Sequence, residues 1–145
     1  MMVQMAPEPK SKTCDKITVK WYIAVANPEK RGTFLLFTRD VEHVNIPTGE
    51  EIYCSAYMSP ASIRRILGEA RNPEKAVEVV SYEVILNGTP MAYGTSNKRF
   101  KQGWWDGSSD KLIRSSVVPI LDKSQTPFSI MWWDRYAEVA PKDPR

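Results

Sequence analysis

Metal-binding residues are scarce in this sequence of 145 residues. It contains one histidine, His43, and two cysteines, Cys14 and Cys54, which lie far apart in the chain. A structural zinc site needs four ligands, and pairs of them are usually only a few positions apart. We therefore predict no metal site. For the cysteines two alternatives stay open: a disulfide that ties the start of the first strand to a later strand, or two unrelated thiols.

Signatures of catalysis are missing as well. The sequence has no GxSxG serine motif and no glycine-rich phosphate loop, patterns that mark common nucleophile and nucleotide sites. His43 is the only side chain that could act as an imidazole base. Because it lies in a segment of alternating polarity, we expect a hydrogen-bonded structural residue. The sequence therefore favours a protein that is not an enzyme and binds no cofactor.

Long apolar runs and strong charge of one sign are also absent. No run reaches about 18 apolar residues, so we expect no membrane span. The net charge is +3, and acidic and basic residues are mostly interspersed, which gives no indication of a nucleic-acid partner. One basic island, Lys98, Arg99 and Lys101, surrounds Phe100. We interpret that island as a solvated loop.

The sequence is rich in large aromatic residues and in alternating patterns. Five Trp and six Tyr are present, and their rings suit pleated, half-buried surfaces. Alternation predicts strands over residues 16–26 and 50–58, with extended runs over residues 33–38 and 41–46 between them. These patterns place most of the first 60 residues in β-structure.

The strongest local signal is the Asn87-Gly88 dipeptide within residues 76–96. Both residue types tolerate the positive φ values of a two-residue type I′ turn, so a β-hairpin is predicted. The face of its first strand that carries Tyr82 and Val84 is the more apolar. We expect that face to point to the core.

One short helix is predicted before this hairpin. Ser59 can accept hydrogen bonds from the free N–H groups at the helix start, and Pro60 suits the first helical position. Gly68 can close the helix in a left-handed conformation. We expect the helix to carry the chain from one sheet to another.

The C-terminal half is less regular. Residues 112–121 resemble a strand, but Pro119 confines such a strand to an edge or a bulge. Residues 127–139 alternate and are predicted as a strand. The domain boundaries predicted from these features are a flexible linker over residues 1–15, a single β-sandwich domain over 16–140, and a frayed tail over 141–145.

The most distinctive motif is a Trp-Trp-Asp string that occurs twice, at residues 104–106 and 132–134. On a strand, one Trp of each pair would face the core and its neighbour the solvent. Exposed indoles would suit a sugar-stacking platform or a protein anchor. We favour the alternative, in which ordinary packing covers the rings. If a functional surface exists, its predicted members are Trp104, Trp105, Trp132, Trp133 and Tyr136.

These patterns favour an all-β fold with minor α content, an immunoglobulin-like antiparallel β-sandwich with one short crossover helix. An OB-like barrel is the alternative. The run from KWYIAVANPEKRGTFLLF through YMSPASIRRIL to the hairpin resembles secreted immunoglobulin-like domains of bacterial pilus or cell-surface assemblies. This resemblance is one of general layout over most of the chain, and it assigns no functional residue.

The leading hypothesis is a non-enzymatic, extracytoplasmic protein-interaction domain, part of or accessory to a bacterial surface or pilus-like assembly. The polar, Pro-rich lead after Met1-Met2 looks like a start placed on a trimmed mature chain, which favours the periplasm, the outer surface or secretion. A carbohydrate-binding module that uses exposed Trp to hold a glycan is the alternative, and a small enzyme is the third hypothesis. An unpaired, uncharged edge strand would favour strand addition to a partner.

Overall fold

The structure is a computed structural model that describes residues 2–5, 13–47, 52–68, 76–106, 111–131 and 135–140. For residues 2–5, 13–15, 45, 47 and 52 only the backbone is described. The described elements are β1 (Met2–Met5), β2 (Thr13–Ala26), β3 (Phe34–Pro47), β4 (Ile52–Tyr57), α1 (Pro60–Leu67), β5 (Val77–Leu86), β6 (Thr89–Thr95), β7 (Leu112–Arg114), β8 (Leu121–Asp122) and β9 (Glu138–Val139), with 3₁₀ turns at Trp104–Asp106 and Lys123–Gln125.

Two sheets form a β-sandwich. The larger sheet has six strands in the order β6-β5-β2-β3-β7, with β9 also paired to β3, and the smaller has the order β1-β4-β8. The pairing of β3 with β7 is parallel, and the other pairings between the described strands are antiparallel. No closed barrel is formed by the described strands, which confirms the all-β sandwich and not the OB-like barrel.

The core lies between the two sheets. Trp21 of β2 is 0% exposed at the centre of the inner face of the larger sheet. Ala56 of β4 and Ile66 of α1 belong to the same buried cluster, so the small sheet and the helix cover that face together. Because successive strand residues point to opposite faces, the alternation in β2 selects this set of inward side chains.

The Asn87-Gly88 hairpin is confirmed. Asn87 has a φ of 52° and Gly88 a φ of 78°, the positive values that a type I′ turn requires at both positions. On either side of the turn β5 and β6 pair antiparallel. Tyr82 and Val84 pack against the core cluster, as predicted from the more apolar face.

The short helix is also confirmed. Ser59 Oγ accepts a hydrogen bond from the Ser62 N–H at 3.0 Å, and Pro60 occupies the first turn. Gly68 ends the helix with a φ of 71°, and its N–H donates to the Arg64 carbonyl at 2.8 Å. The helix follows β4 of the small sheet and precedes β5 of the large one. It is therefore a crossover between the sheets, as expected.

A half-buried ion pair links the two sheets. Arg39 of β3 points inward, because it lies opposite Trp21 in the β2–β3 register. Its Nη2 atom lies 2.9 Å from Oδ2 of Asp122 in β8, and its Nη1 donates to the Ile120 carbonyl at 3.4 Å. Asp122 is 2% exposed, so its charge is compensated inside the sandwich by Arg39.

The N-terminal segment differs from the flexible linker predicted over residues 1–15. Met2–Met5 form β1 and pair antiparallel with β4, and β2 begins at Thr13 instead of residue 16. Backbone hydrogen bonding therefore attaches Met2–Met5 to the small sheet. Residues 6–12 and the predicted tail 141–145 lie outside the described residues.

The strand predicted over residues 127–139 is wrong for most of its length. Residues 127–131 form turns, and strand is described only at Glu138–Val139. The strand predicted over residues 112–121 is also wrong for most of its length, because β7 ends at Arg114, β8 begins at Leu121, and Pro119 lies between them. Alternation in sequence therefore did not imply β-structure here.

Candidate interaction surface

The first Trp dyad, Trp104 and Trp105, lies on a 3₁₀ turn and not on a strand. It covers the outer face of the large sheet. Trp105 is 5% exposed, and its ring stacks on Tyr22 of β2 with centroids 3.9 Å apart and planes 6° apart. Stacking at this distance excludes any other flat ligand from between the two rings. Trp105 is therefore a packing residue in the described structure, not an exposed platform.

Trp104 is half-buried beside it. Its indole Nε1 donates to the Ser81 hydroxyl at 3.0 Å, and Ser81 is 0% exposed. The ring also contacts Phe100 edge-on, with centroids 5.3 Å apart. The segment that carries the basic island thus folds back over the large sheet. These contacts give Trp104 a structural partner on each side and agree with the covered arrangement that the sequence favoured.

Burial of this aromatic layer changes the acidity of Tyr22. Burial raises the pKa of Tyr22 to about 12, and the nearby carboxylates, Glu83 foremost, add to the increase. The phenol therefore stays protonated over the whole physiological range. Tyr22 acts as a neutral packing surface for Trp105.

The second Trp dyad, Trp132 and Trp133, lies outside the described residues. Tyr136 follows it and is described as half-buried. Its ring lies 5.8 Å from that of Tyr53 on β4, and Lys123 Nζ lies 5.0 Å above its centroid. Tyr136 is therefore the predicted surface residue that the structure places beside the small sheet, away from the first dyad.

Next to Tyr136 the chain exposes a group of large apolar side chains, which we call the apolar loop (residues 126–131). Phe128 is 47% exposed, Ile130 80% and Met131 42%. Three such residues within four positions form a concentrated apolar surface. Contiguous exposed apolar area on a soluble domain marks contact sites more often than isolated residues do.

Hydrogen bonds from Lys123 and Thr126 hold the apolar loop in place. Lys123 is 7% exposed and donates from Nζ to the Ser129 carbonyl at 3.0 Å. Thr126 donates its hydroxyl to the Lys123 carbonyl at 2.8 Å and accepts from the Phe128 N–H at 3.2 Å. The Phe128 ring lies 6.2 Å from that of Tyr57. These bonds hold the backbone of the loop, from which the apolar side chains project.

Two titratable groups beneath the apolar loop respond to burial. Burial lowers the pKa of Lys123, because the charged ammonium loses water. The same effect raises the pKa of Tyr136, with further contributions from Tyr57 and Tyr53. Lys123 and Tyr136 thus form a desolvated cation and ring pair at the base of the loop.

His43 is buried against the backbone of the segment that carries β9. It is 2% exposed, and its Nδ1 lies 3.2 Å from the Ala137 carbonyl. Burial lowers the pKa of His43 more than the backbone groups of Ala137 and Glu138 raise it. Among the described residues no group of three or more His, Cys, Asp or Glu could hold a metal ion. Within that part of the chain, His43 has the geometry of a structural residue.

For Cys14 and Cys54, a disulfide and two unrelated thiols both stay open as alternatives. Cys54 is 1% exposed on the inner face of β4, while the side chain of Cys14 lies outside the described residues.

The apolar loop was missed in the sequence because residues 127–139 alternate like a strand. A usable signal was nevertheless present. Residues 124–133 contain no Asp, Glu, Lys or Arg although they include Pro127 and several large apolar residues. An uncharged segment with Pro at its start fits an exposed turn as well as it fits a strand.

The chain is similar to known proteins over almost its whole length. A family model matches residues 1–143. The chain belongs to that family. A crystal structure of a protein from Akkermansia muciniphila is similar to this member of the family, with 36% sequence identity and a TM-score of 0.84. The similarity covers 98% of this chain and 76% of the other. No curated protein matches the present chain significantly in sequence.

Helix α1 has eight residues. Among the described residues, no helix has the length and apolar character that crossing a bilayer requires.

Proposed function

We propose that this family member is a non-enzymatic, extracytoplasmic protein-interaction domain of a bacterial surface or pilus-like assembly, and that the apolar loop contacts its protein partner. The observation that carries the proposal is the exposure of Phe128, Ile130 and Met131 on a loop whose backbone is anchored. The relationship to the Akkermansia muciniphila protein suggests a surface or pilus-related role.

The loop has the physical properties of an interface centre. Ile130, at 80% exposure, offers most of its side chain for burial against another molecule. Because Lys123 and Thr126 already fix the backbone, association costs less conformational entropy than it would for a mobile loop. Half-buried Tyr53, Tyr57 and Tyr136 continue the surface with rings that combine apolar area and a polar tip. Aromatic residues of this kind are enriched where binding energy concentrates.

Site-specific photo-crosslinking tests the proposal. A benzophenone amino acid is placed at Ile130 in the full chain, and, as a matched control, at Val117, which is 47% exposed at another place in the sequence. The labelled chain is expressed in the bacterium that encodes it. We expect position 130 to give one discrete protein adduct in the envelope fraction, and position 117 to give none.

A substitution separates binding from folding. Met131→Asp in the crosslinking background should remove the adduct while thermal unfolding is unchanged, because Met131 is 42% exposed and Phe128 keeps its contact with Tyr57. Equal adducts at positions 117 and 130, or adducts with lipid alone, would contradict the proposal.

The carbohydrate alternative has its own test. Tryptophan fluorescence is titrated with a panel of glycans, and we expect no saturable response. A saturable response that Tyr136→Ala abolishes would favour a sugar site over a protein site, since stacked rings bind sugar faces.

A further inference from the structure

Strand β6 is an open edge of the large sheet. Within the described residues it pairs with β5 alone. Residues 84–97, which contain it, carry no Asp, Glu, Lys or Arg. Natural sheets commonly protect an edge with charge, with Pro or with a bulge. Here Pro90 and a bulge near Val84 protect the end next to the turn, and the rest of β6 has neither.

The alternation of hydrogen bonds between β5 and β6 shows which backbone N–H and C=O groups of β6 point away from β5. The Ser96 N–H donates to the Val80 carbonyl at 2.9 Å, which makes Ser96 and Val80 a hydrogen-bonded pair. In an antiparallel ladder such pairs alternate with pairs that are not hydrogen-bonded. Gly94, opposite Tyr82, therefore bonds to β5. By the same alternation, Tyr93 and Thr95 direct their N–H and C=O groups away from β5.

Two copies of this edge complement one another. If β6 meets β6 of a second copy in antiparallel orientation with Gly94 opposite Gly94, Tyr93 of each copy lies opposite Thr95 of the other. Both residues then exchange two N–H···O=C bonds, so four backbone hydrogen bonds form across the edge.

The charges around β6 favour this occupant and orientation. Lys98 and Arg99 are exposed directly after β6. β6 ends at Thr95, and the Phe100 N–H donates to the Asn97 carbonyl at 3.0 Å, so Lys98 and Arg99 lie on a turn beyond the paired strand. An antiparallel arrangement places the two basic turns at opposite ends of the joined strands. A parallel arrangement would bring the basic residues of both copies together.

We propose that β6 pairs antiparallel with β6 of a second copy of this chain, joining the two large sheets into one. This contact is separate from the apolar loop, and its test does not depend on the proposed function. The occupant is a second copy because the uncharged strand complements itself and because antiparallel pairing keeps the two basic turns apart.

Sedimentation velocity over a concentration series, combined with amide hydrogen exchange, tests the proposal. We expect a monomer–dimer equilibrium in which the Tyr93 and Thr95 amides gain protection as concentration rises. The Ala92 and Gly94 amides, which point to β5, should be protected at every concentration. A chain that stays monomeric, or a dimer without added protection at Tyr93 and Thr95, would overturn it.

Paired substitutions at Thr95 provide a second readout. The Thr95 N–H points away from β5 and in the proposed register donates to the second copy, while its hydroxyl bonds to Ser81 and to the Asn97 N–H. Thr95→Pro should therefore abolish dimerisation, because proline has no N–H to donate. Thr95→Val loses the same side-chain hydrogen bonds but keeps the N–H, so it should still dimerise. Equal dimerisation of the two variants would exclude this register.

Discussion

At the scale of the residue, His43 is a buried titratable group, so its protonation is coupled to folding. It is 2% exposed, and burial lowers its pKa below the ordinary value of 6.5. The folded chain therefore holds a neutral imidazole at a pH where the unfolded chain is already protonated. Protonation of this residue accordingly favours unfolding.

The first prediction is a loss of stability on acidification that depends on His43. The His43 contribution should be fully present above pH 6.5 and fall as pH decreases below that value, because the unfolded chain then binds a proton that the folded chain excludes. The slope is at most about 1.4 kcal/mol per pH unit. Urea unfolding between pH 8 and pH 5 measures it. His43→Gln should flatten this part of the profile, and an identical slope in the variant would contradict the assignment.

Gly94 shows a second effect at this scale. Gly94 lies opposite Tyr82 in the β5–β6 pair, and a Cβ atom at Gly94 would overlap the Tyr82 ring. That ring in turn lies against buried Trp21, with centroids 5.8 Å apart. The absence of a side chain at Gly94 is thus what allows Tyr82 to cover the strand.

The second prediction is that Gly94→Ala lowers the free energy of unfolding by about 1–3 kcal/mol, the usual cost of overpacking. Chemical denaturation measures the loss. In a Tyr82→Ala background the same substitution should cost much less, because the overlapping ring is gone. Additive effects of the two substitutions would show that the ring contact is not the cause.

At the scale of the element, Asp122 performs two tasks in β8. It accepts the Ser124 N–H at 2.9 Å, and its own N–H donates to Gln125 Oε1 at 3.1 Å, so it caps the following 3₁₀ turn. Its other carboxylate oxygen pairs with Arg39. The cap orients the turn that carries Lys123, and Lys123 holds the apolar loop.

The third prediction separates these tasks. Asp122→Ala removes both the cap and the ion pair and should cost about 1–3 kcal/mol, because the cap is lost while the Arg39 side chain, at 27% exposure, can still reach water. Asp122→Asn keeps a good capping residue and loses only the charge. Its loss should be smaller, and denaturant unfolding of the two variants compares them. Equal losses would mean that the cap contributes nothing measurable.

The elements also differ in how far local sequence could predict them. Asn87-Gly88 and the Ser59 to Gly68 helix were predicted because turn and cap chemistry acts within a few residues. Residues 127–131 were mispredicted because alternation is only a local pattern. What holds them as turns is Lys123 and the ring of Tyr57, and the Tyr57 contact comes from a strand distant in sequence.

At the scale of the whole molecule, the sandwich separates two candidate contact regions. The apolar loop neighbours the small sheet, and the open strand β6 ends the large one. A domain with two separate contact regions can join more than one neighbour. This arrangement suits the assembly role that we propose.

The fourth prediction concerns surface area and stability together. Ile130→Asp should leave the free energy of unfolding within about 0.5 kcal/mol, as surface changes usually do, and should lower the binding of an apolar fluorescent dye. Val118→Asp, at a position that is 4% exposed, should instead destabilise the fold strongly. Dye fluorescence and thermal unfolding are measured on both. Unchanged dye binding in Ile130→Asp would show that the loop is not the main apolar surface.

The sequence by itself determined the β class, the hairpin at Asn87-Gly88, the capped helix and the inward face of β2. These features depend on alternation and on backbone preferences of neighbouring residues. Only the tertiary structure decided that Trp105 stacks on Tyr22 and that Met2–Met5 form a paired strand. It also decided that an alternating segment becomes an exposed loop. These outcomes depend on contacts between residues far apart in the chain, and local patterns carry no information about which distant residues will meet.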